Sequence, residues 1–253
     1  MSVALLAGMF AIGLVAFTTE GAIGFGATVI AVSLGAQLLP IEALLPAFVP
    51  INMALSTWLL LRGRGAVAWR LLLATIAPPV VIGTGVGMAL FHLAPRTAMQ
   101  LAFAGFVVVL ALLELRRVLA PTAPVTARPL PVVTRVLVLG LGGVAHGLFA
   151  TGGPLIIYVL RRGLTDKTAF RATLAVLWLS LNVLVVTNLA VDGQFRVETA
   201  GLGAVLVAAL VPGLALGERL HRRLDPLRFE RAVWGFLLVA GLALGVRTAL
   251  ALG

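Results

Sequence analysis

The sequence contains no cysteine and few charged residues. Without cysteine the chain can form neither disulfides nor thiolate metal sites. Charged residues make up 11% of the 253 positions and hydrophobic residues 61%, whereas a soluble domain has about 25% charged and about 45–50% apolar residues. A water-soluble fold cannot hide this much apolar surface, so the composition excludes an ordinary soluble protein.

Acidic residues are scarcer than basic ones, and the formal net charge is +10. In a soluble protein this excess would favour nucleic acid as a partner, but there is one tyrosine, and no aromatic-basic cluster or nucleic-acid-binding motif. Sixteen of the 19 Lys and Arg residues fall in four regions, around 62–70, 116–135, 161–171 and 219–231. Such clusters are typical of short cytoplasmic loops between membrane helices. We therefore predict the lipid bilayer, and no nucleic acid, as a partner.

Most of the chain outside these basic regions consists of long apolar runs. They fall at about 2–17, 24–38, 40–61, 70–94, 98–115, 135–147, 153–160, 168–190, 197–217 and 229–252. The runs are continuous and rich in Leu, Ala and Val, which favours helices over the alternating strands of a membrane barrel. The first run lacks a basic flank and a cleavage site, so we predict that it is retained. The fold class is thus an all-α polytopic (multi-pass) protein of a bacterial-type inner membrane.

Two similar halves lie on either side of a Pro-rich segment. Residues 1–118 form a first repeat, 119–134 a cytoplasmic linker and 135–253 a second repeat. In each half a Gly-broken pair of short segments, forming a re-entrant or short-helix hairpin, precedes three transmembrane helices. The fragments that begin at Gly105 and Gly235 occupy matching places near the ends of the halves. This pattern predicts an internal duplication.

The basic regions predict how the halves are oriented. If each Gly-broken pair goes into the membrane and returns, all four regions share one side, the halves are inverted repeats and both termini lie outside. The arm at 135–147 has 13 residues and would be about 20 Å long, against a hydrocarbon core of about 30 Å. We therefore expect the two Gly-rich tips to lie inside the membrane, where they can approach each other.

The two Gly-rich breaks are the predicted solute site. Non-helical backbone at membrane depth usually lines a cavity, and helix N-termini suit an anion. The alternative is that the glycines only allow close helix packing. Asn52 and Asn182 are predicted to be buried amides that touch the solute or fasten the tips. The candidate substrate-binding residues are Thr18, Thr19, Gly24, Phe25, Gly26, Asn52, Thr151, Gly152, Gly153, Pro154 and Asn182.

Glu20 and His146 are the ionisable residues of the breaks and lie 126 positions apart. An ionisable side chain inside a membrane is a functional hypothesis by default, and both are candidates for proton coupling. The alternative is that each caps backbone exposed by its own break. The sequence contains no metal-ligand cluster, nucleotide motif or cofactor motif.

Three motifs together resemble the sulfite exporter TauE/SafE family, also called the toluene sulfonate uptake permease family. They are Gly21-Ala-Ile-Gly24-Phe25-Gly26 with Pro40 downstream, Asn52 followed by Arg62-Gly63 and Val67-Ala68-Trp69-Arg70, and Gly147 with Thr151-Gly152-Gly153-Pro154 and Tyr158. The resemblance implies export or uptake of sulfite, sulfoacetate or related organosulfur anions, with coupling to protons. We predict a secondary transporter and no enzyme activity. An anion channel, or an intramembrane enzyme using Glu20 and His146, are the alternatives; the solute, its direction, the coupling ion and a homodimeric state stay open.

Overall fold

The computed structural model describes residues 1–23, 26–63, 66–120, 130–164, 166–223 and 225–251. All regular structure in these ranges is helical, which confirms the predicted all-α class. The helices are α1 (Val3–Ile23), α2 (Ala27–Gly35), α3 (Ile41–Gly63), α4 (Trp69–Leu71), α5 (Ala77–Leu93), α6 (Arg96–Leu119), α7 (Val132–Phe149), α8 (Gly153–Leu160), α9 (Lys167–Val191), α10 (Val197–Arg223) and α11 (Pro226–Leu250).

Eight stretches of the described residues are long and apolar enough to cross a membrane. They are α1, α3, α6, α7, α9, α10, α11 and the continuous stretch Trp69–Leu93, which contains α4 and α5. The two remaining helices, α2 with 9 residues and α8 with 8 residues, are about 13 and 12 Å long. Either is less than half of a hydrocarbon core of about 30 Å. The predicted multi-pass membrane protein is therefore confirmed.

Of the four predicted hairpin arms, only α8 has the predicted bounds, and α2 is shorter than its predicted range of 24–38. α7 runs over Val132–Phe149, 18 residues rather than the 13 expected, and α1 over Val3–Ile23. At about 27 and 31 Å, both are long enough to span. The glycines at 142, 143 and 147 lie inside α7 and are not part of the break. Gly143 and Gly147 lie against the backbone of α5, and Gly142 lies against the start of α8. The breaks are consequently short, and the predicted Pro-rich linker lies mostly in 121–129, outside the described residues.

The described residues form two compact units, each built from both halves of the sequence. Unit 1 comprises 1–48, 94–122 and 195–253, and unit 2 comprises 49–93 and 123–194. In unit 1, α1 packs along α10 and α11 packs along α6. Gln37, just after α2, donates from Nε2 to Ala240 O of α11 at 3.1 Å, and Arg117 of α6 binds Glu230 of α11 at 2.8 Å.

In unit 2, α7 packs along α5, and α8 packs on α7. The helix that contains α5 has a π-helical turn at Leu72–Ile76. Pro78 and Pro79 follow this turn and have no N–H to donate to carbonyls four residues earlier. The turn shifts the pairing to five residues, as in the bond from Ala77 N–H to Leu72 O. The wider turn thus accommodates two prolines in a membrane-spanning stretch.

Glycines lie directly on the facing helix in the α1–α10 pair of unit 1 and in the α5–α7 pair of unit 2. In both pairs two glycines four residues apart lie on two backbone groups four residues apart. A methyl group would collide with the facing backbone at three of these glycines and with the Cβ of Phe17 at Gly213. In unit 1, Gly213 and Gly217 lie on Leu14 and Thr18; in unit 2, Gly83 and Gly87 lie on Gly140 and Val144. Gly140 and Val144 lie 126 positions after Leu14 and Thr18, and Gly213 and Gly217 lie 130 positions after Gly83 and Gly87, so each contact in one unit has an equivalent in the other. This repetition supports the predicted duplication, while the inversion of the halves remains a prediction.

Each short helix brings the chain back along its preceding long helix. Near the start of α1, a Cβ at Gly8 would lie 3.3 Å from Leu38, which follows α2. Near the start of α7, Arg135 lines the same cavity as Arg162, which follows α8. Both pairs are therefore hairpins whose ends come together.

Candidate functional site

The first hairpin turns between α1 and α2, in unit 1. α1 ends at Ile23 and α2 begins at Ala27; Gly24 and Phe25 lie outside the described residues. Gly26 has a φ of 106°, a left-handed conformation that favours glycine. Glu20, in the last turn of α1, accepts a hydrogen bond at Oε2 from Ala27 N–H, at 2.9 Å. The carboxylate thus caps the start of α2, as the capping interpretation of Glu20 expects.

The two threonines of the first hairpin are both buried in α1. Thr19 donates from Oγ1 to Val15 O at 2.9 Å, one turn earlier in the same helix. Thr18 Oγ1 has no hydrogen-bond partner among the described residues. Thr18 is therefore the hydroxyl of this pair that is able to bind a ligand or a water molecule, while Thr19 is used within α1.

The second hairpin turns between α7 and α8, in unit 2. α7 ends at Phe149, and Ala150 has a left-handed φ of 52°, with its N–H donating to His146 O at 2.7 Å. α8 begins at Gly153, with Pro154 in its first turn and no side chain capping its N-terminus. A Cβ at Gly152 would collide with Gly142 O, so only glycine fits at this position. The start of α8 therefore presents bare backbone.

Three buried polar side chains near this second break have atoms without hydrogen-bond partners. His146, Thr151 and Asn182 are 3%, 3% and 2% exposed. Both ring nitrogens of His146, Thr151 Oγ1 and Asn182 Oδ1 have no partner within the part of the chain that the structure describes. A buried polar atom left in this state costs about 1–3 kcal/mol. Such a group of atoms indicates a place where a ligand or water binds.

Trp178 lies beside His146 and the start of α8. Its ring stacks on the His146 imidazole, with centroids 5.7 Å apart and planes 13° apart. Gly153, the first residue of α8, faces the same indole at 3.7 Å from its Cβ position. Asn182 lies one turn further along α9 and beside His146. Residue types and spacing predicted His146, Thr151 and Asn182 but missed Trp178, whose four-residue spacing from Asn182 was the available signal.

The α8 site, as we call His146, Thr151, Gly152, Gly153 and Asn182, has the chemistry of an anion site. The first N–H groups of a helix have no intrahelical acceptor, and the helix dipole adds partial positive charge there. Thr151 supplies a hydroxyl donor and His146 a ring N–H. Lys and Arg are absent from this set, so a small anion would be held by neutral donors.

The remaining predicted residues differ in their surroundings. Asn52, in the middle of α3, is half-buried and not fully buried as predicted, while Asn182 is buried as predicted. Glu20 and His146 belong to different compact units. Among the described residues, no group of three or more His, Cys, Asp or Glu could hold a metal ion.

Eight spanning stretches and two hairpins with short helices define a multi-pass helical membrane protein of the kind that transport families contain. The profile of the family described as Sulfite exporter TauE/SafE matches residues 9–244. The chain belongs to this family, which confirms the predicted resemblance.

A relative from Comamonas testosteroni is described as "Probable inner membrane transporter protein TsaS". It is 34% identical over 119 residues, which cover 47% of this chain and 50% of the relative. The chain thus spans about half the length of the curated relative it matches. No solved structure matches the chain.

Proposed function

We propose that this protein is a secondary transporter of the inner membrane that moves a small sulfur-containing anion, such as sulfite, sulfoacetate or another organosulfonate, by alternating access. Membership of the sulfite exporter family and the similarity to an inner membrane transporter support this activity. Eight spanning stretches provide the membrane framework. The α8 site provides a place for the anion.

The observation that carries the proposal is the set of buried, unpartnered polar atoms at the start of α8. Thr151 Oγ1 and the His146 ring donate to oxygens of the anion. The N–H groups of Gly153 and Leu155, which as first residues of α8 have no acceptor within the helix, donate from the helix end. With the solute bound, Asn182 Oδ1 would accept from one ring nitrogen of His146 and leave the other nitrogen for the solute. An oxyanion of sulfur has several oxygens, so it can satisfy these donors together.

Neutral donors also explain how such a site could release its ligand. A buried Arg or Lys would form an ion pair whose separation leaves an uncompensated charge in a medium of low dielectric. Hydrogen bonds from hydroxyl, imidazole and backbone groups hold an anion and exchange for water at lower cost. A carrier needs this balance, because it must bind on one side of the membrane and release on the other.

In the first hairpin, we propose that Thr18 and the backbone at Gly26 contribute to solute binding and that Thr19 and Asn52 fasten their helices. Coupling to protons is assigned to Glu20 and His146. Glu20 already occupies the N-terminus of α2, where an anion would bind. Protonation of Glu20 would weaken this cap, so a proton and a solute anion would favour the same rearrangement.

The test is uptake into proteoliposomes with Thr151→Val and, as a matched control, Thr84→Val. Thr84 is also buried in unit 2, but its Oγ1 donates to Val80 O of its own helix at 2.9 Å. Sulfite, thiosulfate, sulfoacetate, taurine and simple carboxylates are supplied at two pH values. We expect saturable uptake of a sulfur anion, with the KM raised about tenfold or more by Thr151→Val, the cost of one hydrogen bond to a charged ligand, and little changed by Thr84→Val.

Thermal unfolding of the two variants separates binding from folding. Thr151→Val removes a buried hydroxyl that lacks a partner, so the apo protein should keep or raise its Tm. Equal transport by Thr151→Val and wild type would refute the α8 site. Flux that does not saturate would instead favour an anion channel, and folded protein that moves no sulfur anion would refute the substrate class.

A further inference from the structure

A cavity with a mostly apolar lining lies in unit 2 beside the π-helical turn, among the ends of several helices. Its volume is about 50 Å³, several times the roughly 10–15 Å³ that holds one water molecule. It is lined by Leu71, Thr75, Ile76, Leu130, Arg135, Val159, Leu160, Arg162 and Gly163. None of these residues belongs to the α8 site.

Two guanidinium groups supply the charge of this cavity. Arg135 lies in the first turns of α7, and its Nε is buried with no hydrogen-bond partner among the described residues. Arg162 donates from one terminal nitrogen to Tyr158 Oη at 2.8 Å, and its guanidinium lies 4.6 Å from the centre of that ring. The stacking fixes the plane of Arg162 and leaves its other N–H groups available. None of the lining residues is acidic.

The π-helical turn forms part of the cavity wall. Thr75 and Ile76 belong to this turn and line the cavity with Leu71, which precedes it. A π-helical turn is wider than an α-helical one and is frequent at functional sites. Thr75 adds a hydroxyl donor, so the cavity combines two cations and one neutral donor.

From these features we propose that the cavity binds a phosphate-type oxyanion, and that its source is the headgroup of an anionic phospholipid. A planar guanidinium with free N–H groups pairs with a phosphate through two parallel hydrogen bonds. Leu71, Leu130 and Val159 give the remaining wall an apolar character that suits the glycerol and upper acyl chain of a lipid. A free oxyanion would gain nothing from that apolar wall.

The predicted topology agrees with a lipid ligand. Arg135 and Arg162 belong to two of the four basic regions that are predicted to be cytoplasmic. The cytoplasmic leaflet carries the anionic lipids, and basic pockets between membrane helices on this side bind their headgroups. The cavity also joins the start of α7 to the end of α8, so a bound headgroup would fasten the second hairpin at its base.

The experiment is native mass spectrometry of the full chain in detergent, titrated separately with phosphatidylglycerol, phosphatidylcholine and inorganic phosphate. The variants are Arg135→Gln, Arg135→Lys and, as a charge-matched control, Arg171→Gln. Arg171 is an exposed residue of α9 that does not line the cavity. We expect preferential binding of phosphatidylglycerol, weakened about tenfold by Arg135→Gln, weakened less by Arg135→Lys and unchanged by Arg171→Gln. A thermal scan identifies any variant that fails to fold.

Each outcome decides between the sources. Tight phosphatidylglycerol binding that depends on Arg135 supports the lipid site. Inorganic phosphate that binds with the same dependence on Arg135, while phosphatidylglycerol does not, would overturn the lipid source and keep the oxyanion chemistry. If neither ligand distinguishes folded Arg135→Lys or Arg135→Gln from Arg171→Gln, the proposal is wrong.

Discussion

At the scale of single residues, Glu20 and His146 show how equivalent positions serve different purposes. Glu20 lies in the last turn of α1 and His146 in the last turn of α7, 126 positions apart, and each of these helices is the first of its hairpin. The Glu20 carboxylate accepts from Ala27 N–H and caps the short helix that follows, whereas the His146 ring nitrogens have no hydrogen-bond partner among the described residues and α8 has no side-chain cap. The N-terminus of the short helix is therefore capped by a side chain in the first hairpin and not in the second.

Glu20→Gln separates the capping role of Glu20 from its proposed role in coupling. Glutamine keeps an oxygen that accepts from Ala27 N–H, so the first hairpin should stay folded. It does not exchange protons, so solute uptake should lose its pH dependence if Glu20 couples transport to protons. The measurement is uptake into proteoliposomes across a pH series, compared with wild type.

Glu20→Ala completes this comparison, because alanine removes both the cap and the titratable group. Loss of a helix cap costs about 0.5–2 kcal/mol, so this variant should have a lower Tm than Glu20→Gln. Uptake by Glu20→Gln that follows the same pH profile as wild type would assign Glu20 to capping alone.

At the scale of elements, glycine contacts hold the long helices in pairs. Gly147 of α7 lies against Thr84 O and Gly87 of α5, and any Cβ would collide with this backbone. Gly235 of α11 has open space where its Cβ would be. These two glycines are both helical, so they form a matched pair in which only the packing differs.

Gly147→Ala should therefore destabilise the protein by about 1–3 kcal/mol, the range for overpacked sites. Gly235→Ala should be neutral or stabilising by up to about 1 kcal/mol, because alanine favours helix. Denaturation of both variants in detergent, followed by circular dichroism, checks the difference. Equal stability of the two variants would show that the close approach of α5 and α7 is not needed.

Hydrophobic runs predicted nearly every helix, since a membrane span must be long, apolar and continuous. The bounds of α8 were predicted correctly at 153–160. The length of α7 was not, because glycines such as Gly142 and Gly147 indicate either a break or a close helix contact, and only tertiary packing decides between them. Trp178 was not predicted, because its ring lies on His146 through the tertiary packing of α9 and not through any local sequence pattern.

At the scale of the whole molecule, the hairpins bear on how the chain crosses the membrane. Each hairpin returns along its own first helix, and three spanning stretches follow it in each half. A half that returns once and then crosses three times ends on the side opposite to its start. The predicted inverted halves, with the basic regions together on the cytoplasmic side, require that the chain returns to its starting side in both hairpins.

The absence of cysteine makes this topology directly testable, since a single introduced cysteine is a unique label. Ser2→Cys, before α1, should react with a membrane-impermeant maleimide added to intact cells. Arg171→Cys, in a predicted cytoplasmic region, should react only after the membrane is opened. Labelling of Ser2→Cys only after opening would place the N-terminus inside and contradict the predicted orientation.

The pairing of α1 with α10 also has a consequence for the order in which the protein is made. Roughly 170 residues separate the end of α1 from the start of α10, whereas about 40 separate α5 from α7. At a synthesis rate of about 5–20 residues per second, α1 waits on the order of 10 to 30 s for its partner, and α7 follows α5 within about 8 s. The face of α1 on which Gly213 and Gly217 lie therefore stays unpaired during this interval, when insertion machinery and quality-control proteases meet the new chain.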